Sequence, residues 1–114
     1  MHELGIMESA LDSVLTQARA HGARKVVRIG LRIGTLAGVE PEALKLAFEA
    51  LTQGTPADGA ALDIDTVPAR GRCGDCDAEF DVGTDFIFTC PTCGRVSSEL
   101  TQGLELDLVR IDLS

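Results

Sequence analysis

Four cysteines place the tightest constraint on this 114-residue chain, because they form two C-x-x-C pairs, Cys73-Gly-Asp-Cys76 and Cys90-Pro-Thr-Cys93, with 13 residues between them. Each pair fits a turn that aims two thiolates and several backbone N–H groups at one point. Two such turns close a tetrahedral four-sulfur cage around Zn(II). Gly94, directly after Cys93, suits the left-handed backbone at the end of such a turn. The surrounding segment, "RGRCGDCDAEFDVGTDFIFTCPTCGRVSSE", is rich in Gly, Asp, Cys and Thr and poor in Leu, Ile and Val. With Phe80, Phe86, Phe88 and little else to bury, a piece of about 30 residues cannot fold on apolar area alone. A structural zinc contributes about 10–16 kcal/mol of apparent binding energy in finger peptides. Zinc is therefore the expected occupant, with two disulfides, a dithiol redox pair or rubredoxin-like iron as alternatives. Four thiolates leave no open coordination position, which points to a structural metal and not a catalytic one.

The rest of the chain carries ordinary periodic signals, interrupted once by the cysteine segment. In "MHELGIMESALDSVLTQARAHG", Leu4, Met7, Leu11, Val14, Leu15 and Ala18 form one stripe, predicting an amphipathic helix that stops near Gly22. His21, at its C-terminal end, is expected to be exposed and to suit the negative end of the helix dipole. "KVVRIGLRIG" alternates Val27, Ile29, Leu31 and Ile33 with Arg28, Gly30 and Arg32, the period of a half-buried strand. "VEPEALKLAFEALTQG" predicts a second helix with Pro41 in its first turn, with Leu44, Ala47, Phe48 and Leu51 facing inward and Gly54 at its end. "ALDIDTV" predicts a second strand with Leu62 and Ile64 inward. In "GLELDLVRIDL" the apolar parity switches from Leu104, Leu106 and Leu108 to Val109, Ile111 and Leu113, which a β-bulge near Leu108 and Val109 would reconcile. Arg28 and Arg32, with Asp63, Asp65, Glu105 and Asp107, are expected to pair across the polar face of the sheet and not to form a catalytic cluster. The fold class expected is α+β: a small three-stranded mixed sheet with two helices over residues 1–69 and 99–114, plus an inserted zinc-ribbon-like domain over 70–98.

Charge and composition narrow the function. A net charge of −8, from 18 acidic and 10 basic residues, repels a phosphate backbone, so nucleic acid is not an expected partner. The cysteine segment itself sets Asp75, Asp77, Glu79, Asp81 and Asp85 against Arg70, Arg72 and Arg95, without the basic and aromatic interleaving of a nucleic-acid-reading ribbon. No apolar run approaches the roughly 20 residues that span a bilayer, and the N-terminus lacks a signal-peptide pattern. No membrane association is expected, and the cytoplasm, where thiols stay reduced, is the expected compartment.

The N-terminus offers a second kind of metal site. With His2 following it, Met1 is expected to be retained with a free α-amine. That amine, the His2 backbone nitrogen once deprotonated and the imidazole Nδ1 can close a five- and a six-membered chelate ring on one metal ion. A fourth donor, the Glu3 amide or a group from elsewhere, completes a tetragonal site that suits Ni(II) or Cu(II) better than zinc. By themselves these three residues are unspecific: His2 can equally be an ordinary residue of a first helical turn, and Glu3 an acidic residue at the positive end of the helix dipole.

Together, "MHELGIMESAL", "LRIGTLAGVEPEALKLAFEAL" and "CGDC…CPTCG" followed by "TQGLELDLVRID" resemble the HypA/HybF family of hydrogenase nickel-incorporation proteins over essentially the whole chain. The resemblance implies a cytoplasmic nickel metallochaperone and not an enzyme. It implies Ni(II) as transferable cargo at Met1, His2 and Glu3, and a structural zinc at Cys73, Cys76, Cys90 and Cys93. It also implies two partners, a HypB-type maturation GTPase and the nickel-iron hydrogenase large-subunit precursor, with the chaperone itself a monomer or weak homodimer. Urease maturation is a further role within the family. The competing assignments are a zinc-ribbon adaptor without a second metal and a thiol oxidoreductase using one C-x-x-C pair.

Overall fold

A computed structural model describes residues 2–83, 88–96 and 98–114. Met1, Asp85 and Phe86, which carry sequence expectations, lie outside the described residues. The chain divides into two compact units, one of Met1–Arg32, Val39–Asp65 and Asp107–Ser114, the other of Ile33–Gly38 and Thr66–Leu106.

The first unit holds both helices. α1 (His2–Ala20) buries Met7, Leu11, Val14 and Ala18, the expected stripe, while Leu4 in its first turn stays exposed. Gly22 follows it at φ 66°, and the exposed His21 ring donates from Nδ1 to the Gln17 carbonyl at 2.8 Å, satisfying one of the last acceptors of the helix. α2 (Pro41–Thr52) starts on Pro41, with Glu40 as its N-cap accepting the Glu42 N–H at 3.2 Å. Leu44, Ala47 and Phe48 are buried, Leu51 is half-buried, and buried Thr52 donates its hydroxyl to the Phe48 carbonyl at 2.7 Å.

The main sheet has the order β2-β1-β6, from β1 (Val26–Gly34), β2 (Ala61–Val67) and β6 (Leu106–Leu113). Val26 N–H bonds the Pro56 carbonyl ahead of β2, and Thr35 N–H bonds Val67 at its end, both at 2.9 Å, so β1 and β2 run parallel with α2 as the crossover. Ser114 N–H bonds Lys25 at 2.9 Å, and Gly34 N–H bonds Glu105 at 2.8 Å, so β6 runs antiparallel to β1. The sheet is mixed, as expected from the sequence. Arg28 pairs with Asp63 at 2.6 Å and Arg32 with Asp65 at 3.6 Å across the polar face; such exposed pairs contribute little to stability.

Two details depart from the periodic expectation. In β1 the buried residue at the start is Val26, and Val27 is 49% exposed, so the inward alternation holds only from Ile29 onward. In β6, Leu108 and Ile111 are half-buried whereas Leu106 and Val109 are exposed, as is Leu104 just ahead of the strand. The apolar parity does switch between Leu108 and Ile111, but Leu104 and Leu106 are not core residues.

The second unit has its own antiparallel sheet, order β4-β3-β5, built from β3 (Arg70–Cys73), β4 (Glu79–Asp81) and β5 (Ser98–Gln102). Its small core joins Leu36, Ala69, Phe80 and Val82 to the two buried cysteines, with Phe88 and Leu100 packed against them. Gly71 lies opposite Phe80, and a Cβ there would sit 3.2 Å from the Phe80 ring, so glycine lets the aromatic side chain lie across the strand.

Gly34 marks a closer approach. A Cβ there would fall 2.1 Å from the Gly103 carbonyl, and one on Gly103, at φ 126°, would fall 2.8 Å from Ala69 Cα. Backbone cannot yield to such overlaps, so Gly34→Ala is expected to destabilise the protein by at least the upper part of the overpacking range of about 1–3 kcal/mol. A thermal unfolding midpoint equal to that of the native protein would contradict this close packing.

Candidate metal centres

The two C-x-x-C segments fold into matching turns. In the first, Cys73 N–H bonds the Ala78 carbonyl at 2.9 Å and Asp77 N–H bonds the Cys73 carbonyl at 3.0 Å; in the second, Cys90 N–H bonds Arg95 at 2.9 Å and Gly94 N–H bonds Cys90 at 2.8 Å. The fourth residue after each leading cysteine has positive φ, Asp77 at 63° and Gly94 at 74°. Gly94 was the expected residue. Asp77 is its counterpart, an amino acid whose short polar side chain tolerates the left-handed region better than most.

These turns bring all four sulfur atoms within 4.8 Å of one another. Cys73 Sγ lies 3.5 Å from Cys93 Sγ, and Cys76 Sγ 3.5 Å from Cys90 Sγ. A tetrahedral ion with Zn–S bonds of 2.3 Å requires S···S separations of about 3.8 Å, so the donor set fits zinc after shifts of no more than about 1 Å. Cys73 and Cys90 are each 1% exposed, while Cys76 and Cys93 face solvent.

The electrostatics make the same demand. The Cys76 and Asp75 amides lower the Cys73 thiol, the latter donating to its sulfur at 3.4 Å. The Cys93 amide, at 3.5 Å, holds Cys90 down at about 6, helped by Thr92. On Cys76 the Ala78 amide favours the thiolate, but the Cys90 sulfur and burial outweigh it and push the thiol up to about 12. Cys93 is raised in the same way: the Arg95 amide favours its thiolate, and the Cys73 sulfur and burial prevail. Four negative charges this close cannot coexist alone, so without a cation one thiol of each pair keeps its proton. A divalent ion allows all four to ionise. Arg72 near Asp77 and Glu79, each at 3.7 Å, and Arg95 near Asp75 at 3.8 Å sit on the exposed rim.

The N-terminal residues stand at the first turn of α1, where backbone N–H groups have no partner within the helix. The His2 side chain is 60% exposed and that of Glu3 15%, with His2 Nε2 3.7 Å from Glu3 Oε2. Glu3 Oε2 also accepts the Glu40 backbone N–H at 3.1 Å. That amide is the main cause, Glu3's own backbone N–H the next and the nearby His2 ring the smallest, that lower the Glu3 carboxyl to about 2, so it is ionised throughout the neutral range. The Glu3–Glu40 bond, across 37 residues of chain, carries no sequence signal.

A small α+β chain with a four-cysteine cluster able to hold a metal ion, in a unit that fits a zinc ribbon, defines the class of zinc-ribbon-like α+β proteins. The family model described as "Hydrogenase/urease nickel incorporation, metallochaperone, hypA" matches residues 1–113, and the chain belongs to this family of metallochaperones, which are not enzymes. It is similar to the "Hydrogenase maturation factor HypA" of Desulfitobacterium hafniense, 39% identical over 99% of this chain and 98% of that one. It is also similar to that of Chlorobaculum parvum, 42% identical over 99% of each. Among solved structures, the "Solution structure of HypA protein" shares the fold with a TM-score of 0.73 at 24% identity, covering 100% of this chain and 97% of that one. The "Solution structure of the Ni metallochaperone HypA from Helicobacter pylori" gives 0.64 at 23% identity, covering 97% and 96%. Membership implies a role with the hydrogenase maturation machinery. Among the described residues, no helix is long and apolar enough to cross a membrane.

Proposed function

We propose that this chain is a cytoplasmic carrier that binds Ni(II) through Met1, His2 and Glu3 and delivers it to nickel-iron hydrogenase during maturation, while Cys73, Cys76, Cys90 and Cys93 hold a structural zinc. The family it belongs to handles nickel. The observation that carries the assignment of the site is the exposed His2 imidazole in the first turn of α1, ahead of the helical hydrogen-bond ladder. Deprotonating the His2 amide to bind nickel breaks no helical hydrogen bond. The α-amine, that amide nitrogen and Nδ1 supply three donors, and the Glu3 amide or another group supplies a fourth.

A carrier must bind selectively and still release. An exposed, incomplete site at a chain end allows a partner's ligands to enter before the carrier's have left, whereas the four-sulfur cage is closed. We assign the cage to holding β3, β4 and β5 folded, and the unit that carries α1 and α2 to nickel. Receiving partners are a HypB-type GTPase and the hydrogenase large-subunit precursor.

Extending the chain by a few residues ahead of Met1 replaces the α-amine with an amide and displaces it. Nickel titration by calorimetry is expected to show markedly weaker binding in the extended protein, with zinc content unchanged. Equal affinity would remove the amine from the ligand set.

A further inference from the structure

The Glu3 carboxylate is placed oddly for a nickel donor. Its Oε2 already accepts the Glu40 N–H at 3.1 Å, its side chain is only 15% exposed, and the same oxygen faces Nε2 of His2 at 3.7 Å. Glu40 is itself fixed: it is the N-cap of α2, its own carboxylate accepts the Glu42 N–H, and the helix is anchored by Leu44 at 0% exposure and by buried Phe48. A rigid line thus runs from the packed face of α2 through the Glu40 amide and the Glu3 carboxylate to the His2 ring.

The chemistry of the ring gives this line a purpose. Only Nδ1 can close a six-membered chelate with the His2 amide nitrogen, so the neutral ring must carry its proton on Nε2. An anion facing Nε2 favours that tautomer and fixes the plane of the ring, the arrangement by which outer carboxylates orient metal-bound histidines. At 3.7 Å the contact is electrostatic and longer than a hydrogen bond, and a small rotation of the exposed imidazole would close it.

We propose that the Glu3 carboxylate is a positioning group and not a nickel ligand: held by the Glu40 amide, it faces Nε2 of His2 and turns Nδ1 toward the metal. This rests on the N-terminal chelate proposed above.

The test uses untagged, full-length, zinc-loaded protein as native, Glu3→Ala, Glu3→Gln and His2→Ala, each titrated with Ni(II). Nitrogen NMR of labelled histidine reads the tautomer, and amide exchange reads Glu40. Glu3→Ala is expected to weaken nickel binding about ten- to a hundredfold, the range for lost outer partners, and to reduce the preference for Nε2–H, with zinc content intact. Glu3→Gln keeps an oxygen for the Glu40 N–H, so that amide should stay protected while nickel affinity still falls. In the native protein the Glu40 amide should remain protected after nickel binds. Its deprotection on nickel binding would show the carboxylate moving to the metal and would overturn the proposal, as would native affinity and tautomer in Glu3→Ala. Native affinity in His2→Ala would overturn the N-terminal site itself, a failure distinct from that of Glu3 alone.

Discussion

His2→Ala abolishes specific nickel binding and leaves zinc content and fold intact: this is the expected result with the largest effect on function. The substitution removes the only side-chain donor of the proposed chelate and with it the six-membered ring that makes the amide nitrogen worth deprotonating. The loss should reach at least about a hundredfold, beyond the range seen when an outer-shell partner is removed. The fold has little at stake, because the His2 side chain is 60% exposed and the α1 core residues Met7, Leu11, Val14 and Ala18 begin more than a turn later. Nickel titration with zinc quantified in parallel checks both halves. Unchanged nickel affinity would defeat the assignment, and lost zinc would show that the two sites are not separable.

The largest effect on structure is expected from Cys73→Ala or Cys90→Ala. Each of these side chains is 1% exposed and belongs to the small core with Leu36, Ala69, Phe80 and Val82, so truncation removes a metal ligand and opens a cavity at once. A structural zinc supplies about 10–16 kcal/mol in finger peptides, as much as the roughly 5–15 kcal/mol total stability of a typical domain. The zinc unit should therefore lose its fold. Hydrogen exchange is expected to show unprotected amides in β3, β4 and β5 with α1 and α2 still protected, and bound zinc well below one equivalent. A variant that kept β3–β5 protected without zinc would mean that Phe80, Val82 and their neighbours suffice alone.

Much of this was legible in the sequence because the signals are local. The helix stripes, the mixed sheet and the convergence of four cysteines follow from periods of 3.6 and 2 and from C-x-x-C spacing, and Gly94 announced its own turn. What escaped is non-local or lacks a distinctive residue type. The three short strands of the zinc unit alternate too weakly to be read, and Asp77 takes the position of Gly94 without looking like a turn glycine. Gly34 and Gly103 reveal their role only when the chain has brought their backbones together. The exposure of Val27, Leu104 and Leu106 shows the opposite failure, in which an apolar residue in phase is not a buried one. At the N-terminus, the residues themselves could be named from the sequence, but the bond from the Glu40 amide to the Glu3 carboxylate depends on the packing of α1 against α2 and no motif encodes it.

The most direct test is X-ray absorption at the nickel edge on untagged, zinc-loaded protein carrying one equivalent of Ni(II). A first shell of nitrogen and oxygen donors with the outer scattering of one imidazole is the predicted outcome. A shell containing sulfur, with zinc displaced, would put nickel in the cysteine cage and contradict the account.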